Sequence, residues 1–167
     1  MSRGVGGLSA ADPDTGDLPL RDTLDKLNAA RASGAIGTWE SSAERFLHAR
    51  HRANHRLAVY GSLAPGRRNH RVIEPLGGEW RRGKIKARLY TSGWGAGRAY
   101  SGVCLDAAGD DIGVHLLTSE SLAAEWGRLD AFEGDDYVRL LARVSWEAAG
   151  YTVANVYAVR FDPQTTA

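Results

Sequence analysis

The sequence has a single cysteine, Cys104, which excludes an intramolecular disulfide and a cysteine-rich zinc site. This cysteine lies in the apolar run 102–105, a context that predicts a buried and inert thiol. No apolar run approaches the ~18 residues that a membrane-spanning helix requires, and the first residues lack the charged-then-apolar pattern of a secretory signal. We therefore expect a cytoplasmic protein with no membrane partner.

An excess of charge of either sign is also missing. The chain has 21 Lys and Arg residues against 20 Asp and Glu residues, and the net charge of +1 gives no overall attraction to nucleic acid. The local exception is a run of arginines with no acidic residue among them: Arg45, Arg50, Arg52, Arg56, Arg67, Arg68 and Arg71. Aromatic residues for base stacking are nearly absent from this run. We therefore interpret it as a solvated face and expect no nucleic-acid partner, with an arginine-based nucleic-acid contact as the alternative.

Three histidines in the same region are the nearest approach to a metal-ligand pattern. His48, His51 and His55 are spaced at i, i+3 and i+7, which places them near one face of a helix. No carboxylate or cysteine lies among them to complete a ligand set. We therefore expect no metal site.

The first 18 residues are predicted to be a disordered tail. Residues 1–17 are rich in Gly, Ser, Asp and Pro, and only Val5 and Leu8 are aliphatic residues larger than alanine. Ordering such a segment costs conformational entropy that no apolar burial offsets.

Residues 19–55 are predicted to form a helical extension. Leu20, Leu24 and Leu27 recur at i, i+4 and i+7, the spacing of one apolar helical stripe. Ser41 and Glu44 have the spacing of a capping box, which predicts a second helix that starts at Ser41 and runs toward residue 54. These helices are left with three roles: to cover the domain that follows, to form a homodimer contact, or to bind a partner.

Residues 56–161 alternate between strand and turn patterns and are predicted to form one domain. The clearest period-2 signal is at residues 84–89, where Ile85, Ala87 and Leu89 alternate with basic residues. The other predicted elements are strands at 57–60, 111–117, 137–146 and 151–160, a helix from Ser119 to Phe132, and a glycine-rich loop at 90–102. Because a short turn separates the last two strands, we expect them to form an antiparallel hairpin.

The segment Tyr60-Gly61-Ser62-Leu63 is the first of two candidate site motifs. An apolar strand ends here in a Gly-Ser turn whose successive N–H groups can face an anion. Glycine at position 61 would allow a positive φ and a close approach of the backbone to that anion. Ser62 lacks the pattern of a nucleophile elbow, so we do not interpret it as a catalytic serine. An ordinary strand-ending turn is the alternative.

Glu133 is the second candidate. It follows an apolar helical face and precedes Gly134, a residue type that ends helices. Beside Phe132 and Tyr137, desolvation would raise the pKa of this carboxyl toward neutral pH and make it a general base. The alternative is a solvated loop carboxylate, which is how we interpret the two aspartates that follow Gly134.

Taken in order, the two motifs resemble a known family. The run 59–66, V-Y-G-S-L-A-P-G, followed by Asn69 and His70, resembles the opening strand and loop of the gamma-glutamylcyclotransferase-like family, which includes gamma-glutamyl and gamma-glutamylamine cyclotransferases. The run 129–134, L-D-A-F-E-G, followed by Tyr137 and Arg139, is similar to the second hallmark of that family. The resemblance covers residues 56–161.

This resemblance implies an α+β fold, a compact mixed β-barrel with a few helices, and an enzyme that cyclises a gamma-glutamyl amide to 5-oxoproline. Glu133 would be the general acid/base, and the backbone of residues 61–63 would hold an anion of the substrate. The residues implied for substrate binding are Tyr60, Gly61, Ser62, Leu63 and Tyr137. Because the substrate's own α-amino group is the nucleophile, the only partner implied is a small gamma-glutamyl substrate, with no cofactor.

The sequence departs from the family pattern in two places. The family often has a proline-containing stretch where this chain has the glycine-rich run 93–97 with Trp94. That difference leaves open whether the substrate is glutathione, a gamma-glutamylamine or a gamma-glutamyl-protected biosynthetic intermediate. The N-terminal helices are also outside the pattern. A non-catalytic ligand-binding or regulatory module on the same fold is the alternative function.

Overall fold

A mixed sheet that closes on itself forms the centre of the protein. The computed structural model describes residues 18–91, 101–147 and 150–160. The described strands are β1 (Arg56–Val59), β2 (Glu79–Tyr90), β3 (Gly102–Leu105), β4 (Asp110–Thr118), β5 (Tyr137–Ser145) and β6 (Tyr151–Val159). Their order is β3-β2-β4-β1-β6-β5, and a further pairing of β2 with β5 closes five of them into a barrel. β1 and β6 pair in parallel, whereas the other described pairs are antiparallel.

Three α-helices surround this barrel. They are α1 (Leu18–Ser33), α2 (Thr38–His51) and α3 (Leu122–Glu133), and one-turn 3₁₀ segments lie at Ala53–His55, His70–Val72 and Glu74–Leu76. The prediction that the second helix starts at Ser41 is wrong by three residues. The carboxylate of Glu40, and not that of Glu44, accepts a hydrogen bond from the residue three positions upstream, the N–H of Gly37, at 3.0 Å. The capping box therefore begins the helix at Thr38.

Small and β-branched side chains fill the interior of the barrel. The alternation along β6 sends Ala154, Val156 and Ala158 inward, where they pack with residues such as Ile85 and Val144. Such narrow side chains suit a barrel of few strands, whose interior has room only for side chains.

The outer face of the barrel is covered by helices on two sides. The apolar stripe of α3, Leu122, Trp126 and Leu129, packs against the outward side chains of β1. On the other side, α1 and α2 bury Leu141 of β5 and Val153 of β6. The second contact explains why Leu141 interrupts an otherwise polar strand face. The predicted antiparallel pairing of β5 with β6 is confirmed.

Helix α1 also protects an unpaired edge of β5. This strand pairs with β6 along its length but meets β2 only at Lys84↔Ser145. The side chain of Asn28 accepts a hydrogen bond from the N–H of Leu141 and donates one to its carbonyl oxygen, both at 2.8 Å. An asparagine thus takes the place of a neighbouring strand at an edge that would otherwise be open to pairing with another chain.

The prediction missed strand β3. Its four residues pair with the end of β2, from Ala87↔Leu105 to Tyr90↔Gly102, and so short an element shows no measurable period. Cys104 lies on this strand and is partly exposed, so the predicted buried thiol is wrong. Residues 1–17 of the predicted tail and residues 92–100 of the predicted glycine-rich loop lie outside the described residues. The last residue of the predicted tail, Leu18, is the first residue of α1.

Gly83 is expected to be required for barrel closure. A Cβ atom at this position would lie 2.7 Å from Cγ1 of Val144 and 3.0 Å from the carbonyl oxygen of Ser145. Gly83→Ala should therefore lower the free energy of unfolding by about 1–3 kcal/mol, the range for an overfilled core. Gly113→Ala is the matched control, since a Cβ atom at Gly113 meets nothing within 4 Å. Equal midpoints of urea unfolding for the two variants would contradict this account.

Candidate active site

A cavity of about 260 Å³ opens where β1 ends and where α3 passes into β5. Its size suits a small molecule. Backbone and aromatic side chains form most of its wall. The lining residues are Ala58, Val59, Tyr60, Gly61, Ser62, Leu63, Asn69, Ser101, Phe132, Glu133, Tyr137 and Tyr157.

Glu133 enters this cavity as the last residue of α3. The helix ends there because Gly134 takes a φ of +80° while its N–H still donates to the carbonyl oxygen of Asp130 at 3.0 Å. Among the described residues, none donates a hydrogen bond to the Glu133 carboxylate or forms an ion pair with it. Burial without a partner disfavours the charged form and raises the pKa of Glu133 to about 7. A carboxyl group of this kind can accept and return a proton at neutral pH.

Backbone donors line the same cavity as Glu133. The N–H groups of Gly61, Ser62 and Leu63 donate no hydrogen bond to any other described residue. Three successive N–H groups of this kind in a cavity wall are able to hold an anion, because they offer partial positive charge without a mobile side chain.

Asn69 and His70 hold this backbone in place. The N–H of Asn69 donates to the carbonyl oxygen of Ser62 at 2.9 Å, and its side-chain Nδ2 donates to Ser62 Oγ at 3.0 Å. His70 Nδ1 lies 3.0 Å from the carbonyl oxygen of Leu63, and the imidazole ring packs against Trp80. Each contact uses a carbonyl or hydroxyl oxygen and leaves the N–H groups of the loop available.

Three tyrosines form the remaining walls and are fixed by their hydroxyl groups. Tyr60 donates to the carbonyl oxygen of Tyr157 at 2.6 Å and accepts from the N–H of Val103 at 3.3 Å. Tyr137 donates to the carbonyl oxygen of Ser101 at 3.0 Å. Burial raises the pKa of Tyr60 and of Tyr157, so both phenols stay neutral at physiological pH.

The structure brings all six residues of the predicted site to one cavity: Glu133, Tyr60, Gly61, Ser62, Leu63 and Tyr137. One detail is wrong, because Gly61 is not among the glycines with positive φ. Sequence reasoning missed Tyr157 and Ser101, and gave no role to Asn69. Tyr157 carried a weak signal, since it is a polar-tipped residue within an apolar strand.

The histidines and arginines singled out in the sequence lie elsewhere. His48 packs against His55, and His51 packs against Tyr151. Within the described ranges, no three His, Cys, Asp or Glu side chains gather as a metal site would require. From the arginine run, Arg52 pairs with Glu120 and Arg56 donates to the carbonyl oxygen of His51. No helix among the described residues is long and apolar enough to span a membrane.

Comparison with known proteins identifies the family to which this chain belongs. The family model of gamma-glutamyl cyclotransferase, AIG2-like proteins matches residues 57–166. Because the match covers most of the chain, the protein belongs to this family, which supports an enzyme of the cyclotransferase type. The comparison with curated proteins gives no match.

Two solved structures show the same fold. An AIG2-like protein from Mus musculus is 21% identical, with 65% of this chain and 80% of that chain covered and a TM-score of 0.52. A protein from Arabidopsis thaliana is 22% identical, with 68% and 67% covered and a TM-score of 0.50. At such identities the likeness shows the barrel and no shared substrate.

A side chain at Gly61 is expected to impair ligand binding and leave the fold intact. A Cβ atom there meets nothing within 4 Å, so a larger residue fits without a clash. Because Gly61 lines the cavity, we expect the added side chain to screen the N–H groups from an anion. Gly61→Val should therefore weaken binding of 5-oxoproline, the product implied by the family, by at least about tenfold, in keeping with one lost charge-assisted hydrogen bond. Calorimetry measures the affinity and thermal unfolding checks the fold. Parental affinity would contradict the anion site.

Glu133 is expected to lower stability above neutral pH. Its folded-state pKa of about 7 lies above the ordinary 4.5, so its protonated form is favoured in the folded protein and the associated stability is lost as the pH rises between these values. Glu133→Gln, which does not titrate, should be more stable than the parent at about pH 8, by on the order of 3 kcal/mol, and similar to it at about pH 4. Urea unfolding at both pH values measures the difference. The exposed Glu79→Gln should show no such dependence, and a Glu133→Gln that gains nothing at the higher pH would contradict the buried, unpaired carboxyl.

Proposed function

We propose that the protein is a gamma-glutamyl cyclotransferase that converts a gamma-glutamyl amide to 5-oxoproline and releases an amine or amino acid. The observation that carries the proposal is the unpaired carboxyl of Glu133 in a cavity lined by free backbone donors. The family match supports the cyclotransferase class.

In the proposed reaction the substrate supplies its own nucleophile. The α-amino nitrogen attacks the γ-carbonyl carbon, a C–N bond forms, and a five-membered ring closes over a tetrahedral intermediate. The bond from that carbon to the leaving nitrogen then breaks. Because nucleophile and carbonyl belong to one molecule, effective molarities of about 10⁵–10⁸ M apply. The protein need only orient the chain and move protons.

Glu133 is the residue proposed to move those protons. Its carboxylate takes a proton from the substrate's α-ammonium group, which frees the amine to attack, and returns that proton to the leaving nitrogen. The second proton that the ring nitrogen loses passes by the same carboxylate to the released amine or to solvent, so a single group serves as base and then as acid. A pKa of about 7 suits both steps, because both protonation states are populated near neutral pH.

The backbone of residues 61–63 is proposed to hold the substrate by an anion, either its α-carboxylate or the oxyanion of the intermediate. Tyr60 and Tyr137 limit the width of the cavity. Phe132 lines the cavity and is 44% exposed, and we propose that it contacts the leaving group. In this proposal residues 56–161 carry the activity, and residues 19–55 support the barrel from outside.

Replacing the acid/base should abolish turnover and preserve binding. Glu133→Gln keeps the size of the side chain but cannot accept a proton. Because general acid–base groups contribute about 10²–10⁴-fold, release of 5-oxoproline from a panel of gamma-glutamyl amides should fall by at least about 10². The parent should lose activity as the pH falls below about 7, since Glu133 must be deprotonated to act as the base.

Asp135→Asn is the matched control, because Asp135 is exposed two residues further along the chain. It should keep parental turnover. Full activity in Glu133→Gln, or its loss in Asp135→Asn alone, would overturn the assignment of the acid/base. A parent that binds 5-oxoproline but turns over no gamma-glutamyl amide would instead indicate a binding module.

A further inference from the structure

A chain of polar contacts connects the N-terminal helices to the helix that carries Glu133. It starts at α2, where Glu44 accepts a hydrogen bond from Arg31 of α1 at 2.7 Å. It continues through Asn155 of β6 and Arg139 of β5 and reaches Asp130 of α3. Helices α1 and α2 lie before residue 57, where the family match begins. The described contacts therefore link a part of the protein outside that match to α3, the helix that ends at the cavity.

Asn155 is the residue at which the contacts of Arg31 and Arg139 meet. Only 1% of its surface is exposed. Its Oδ1 accepts from Arg31 at 2.8 Å and from Arg139 at 3.2 Å, and its Nδ2 donates to the carbonyl oxygen of Ala53 at 2.8 Å. A buried amide with both ends occupied has little freedom to turn, so it holds two guanidinium groups in fixed positions.

Asp130 is the end of the chain nearest the cavity. Arg139 donates to both of its carboxylate oxygens, from Nε at 2.9 Å and from the terminal nitrogen at 3.3 Å. The hydroxyl of Tyr157 donates to the same carboxylate at 2.7 Å. The guanidinium of Arg139 also lies 4.5 Å from the ring centre of Trp126, one turn earlier on α3. These contacts tie the final turns of α3 to both β5 and β6.

The position of the Glu133 side chain depends on these contacts of Asp130, because both residues lie in the final turns of α3. Glu133 is three residues after Asp130, on the same side of the helix, and α3 ends immediately after it at Gly134. A final helical turn readily frays unless side chains anchor it. No described side chain holds the Glu133 carboxylate directly, so its position follows from the position of the turn.

We propose that Asp130 and Arg139 are positioning residues for Glu133. We call the hydrogen-bonded group of Asp130, Arg139, Tyr157 and Asn155 the brace, and we propose that Arg31 connects it to the N-terminal helices. The proposal rests on the proposed function for its effect on turnover, although the brace itself is a property of the fold. A misplacement of about 1 Å can cost 10²-fold in rate. The backbone of residues 61–63 is held by Asn69 and His70, and among the described residues it forms no hydrogen bond with Arg31, Asp130 or Arg139, so substrate affinity should be spared.

The titration of Glu133 reports on the brace separately from overall stability. The titratable groups that share its cavity are Tyr60, which directly follows β1, Tyr137 from β5 and Tyr157 from β6, and Asp130 lies on its own helix. Desolvation is the cause of its raised pKa. A loosened final turn would admit water and lower that pKa toward the ordinary value.

Three variants of the full chain test the proposal: Asp130→Asn, Arg139→Met and Tyr157→Phe. Each should lower kcat, by about tenfold to a hundredfold for the two charged residues, with KM close to that of the parent. In each, the pH below which activity is lost should move downward. Arg143→Met is the matched control, since Arg143 lies four residues along the same strand but stacks on Tyr151 instead. It should behave as the parent does.

Asp130→Asn and Arg139→Met together distinguish a change in the position of Glu133 from a direct effect of the lost charge on its pKa. Loss of the negative charge at position 130 would by itself lower the pKa of Glu133, whereas loss of the positive charge at position 139 would by itself raise it. Shifts in the same downward direction support the brace. Shifts in opposite directions, or parental kcat in both variants, overturn it. Tyr157→Phe changes no charge and removes one oxygen atom, so it decides the question if the charge variants do not fold.

A direct titration makes the test independent of turnover. ¹³C NMR of glutamate side chains, with the Glu133 signal assigned from Glu133→Gln, measures its pKa in the parent and each variant. If the parent turns over no gamma-glutamyl amide, the proposed function fails, and these titrations still support or overturn the brace. Arg31→Met should shift the pKa in the same direction by a smaller amount, and Arg21→Met, an exposed residue of the same helix, should not. A parental value in Arg31→Met overturns the part assigned to the N-terminal helices.

Discussion

Burial of the Glu133 carboxyl without a partner is the constraint on which the rest of the site depends. Because its pKa is raised from 4.5 to about 7, ionising Glu133 in the folded protein costs about 3 kcal/mol more than ionising an ordinary glutamate. The apolar face of α3 offsets this cost, because Leu122, Trp126 and Leu129 are buried against the barrel and each such side chain contributes about 1.5–3 kcal/mol. Trp126 adds hydrogen bonds from Nε1 to the backbone and side chain of Asn54. The helix is therefore held by contacts that are remote from the carboxyl group, which leaves that group free to titrate.

The incomplete closure of the barrel explains why helices α1 and α2 are integral to the fold. Because β5 meets β2 at a single register position, the remaining edge of β5 and the outer faces of β5 and β6 need a cover. Leu24, Leu27 and Leu47 supply its apolar part, and Asn28 and Arg31 satisfy backbone groups of β5. Of the three roles that the sequence left open for these helices, covering the domain is the one that the structure shows. Removing them would expose apolar strand faces together with unpaired backbone.

Most of the architecture was predictable because it follows from local periodicity. The alternation around Ile85 and the i, i+4, i+7 stripes of α1 and α3 report which face is buried, although Leu89 at the end of the alternation is exposed. That Glu133 and residues 60–63 line one cavity was implied by the resemblance of the two motifs to a known family. The capping of α2 was missed because two glutamates, Glu40 and Glu44, stand three residues after a residue able to begin a helix, and sequence spacing does not rank them. Asn155 and Asp130 were missed for a different reason. Their partners are separated from them by many residues along the chain, so no local pattern reports the contact.

The proposed reaction uses different groups of the cavity for anion binding and for proton transfer. This separation determines which step a substitution can affect. In the proposed reaction the anion is bound by N–H groups, which every residue except proline possesses. The side chains of this loop are therefore free to serve other purposes: Leu63 is buried in the core, and Ser62 accepts a hydrogen bond from Asn69. In the same proposal proton transfer belongs to one titratable group, Glu133, whose pKa is raised by burial rather than by a neighbouring charge. A site built in this way tolerates changes at its rim, near Phe132, without loss of the proton-transfer step. If the proposed reaction holds, the preference of this protein for a leaving group is therefore expected to depend on residues at the rim, such as Phe132.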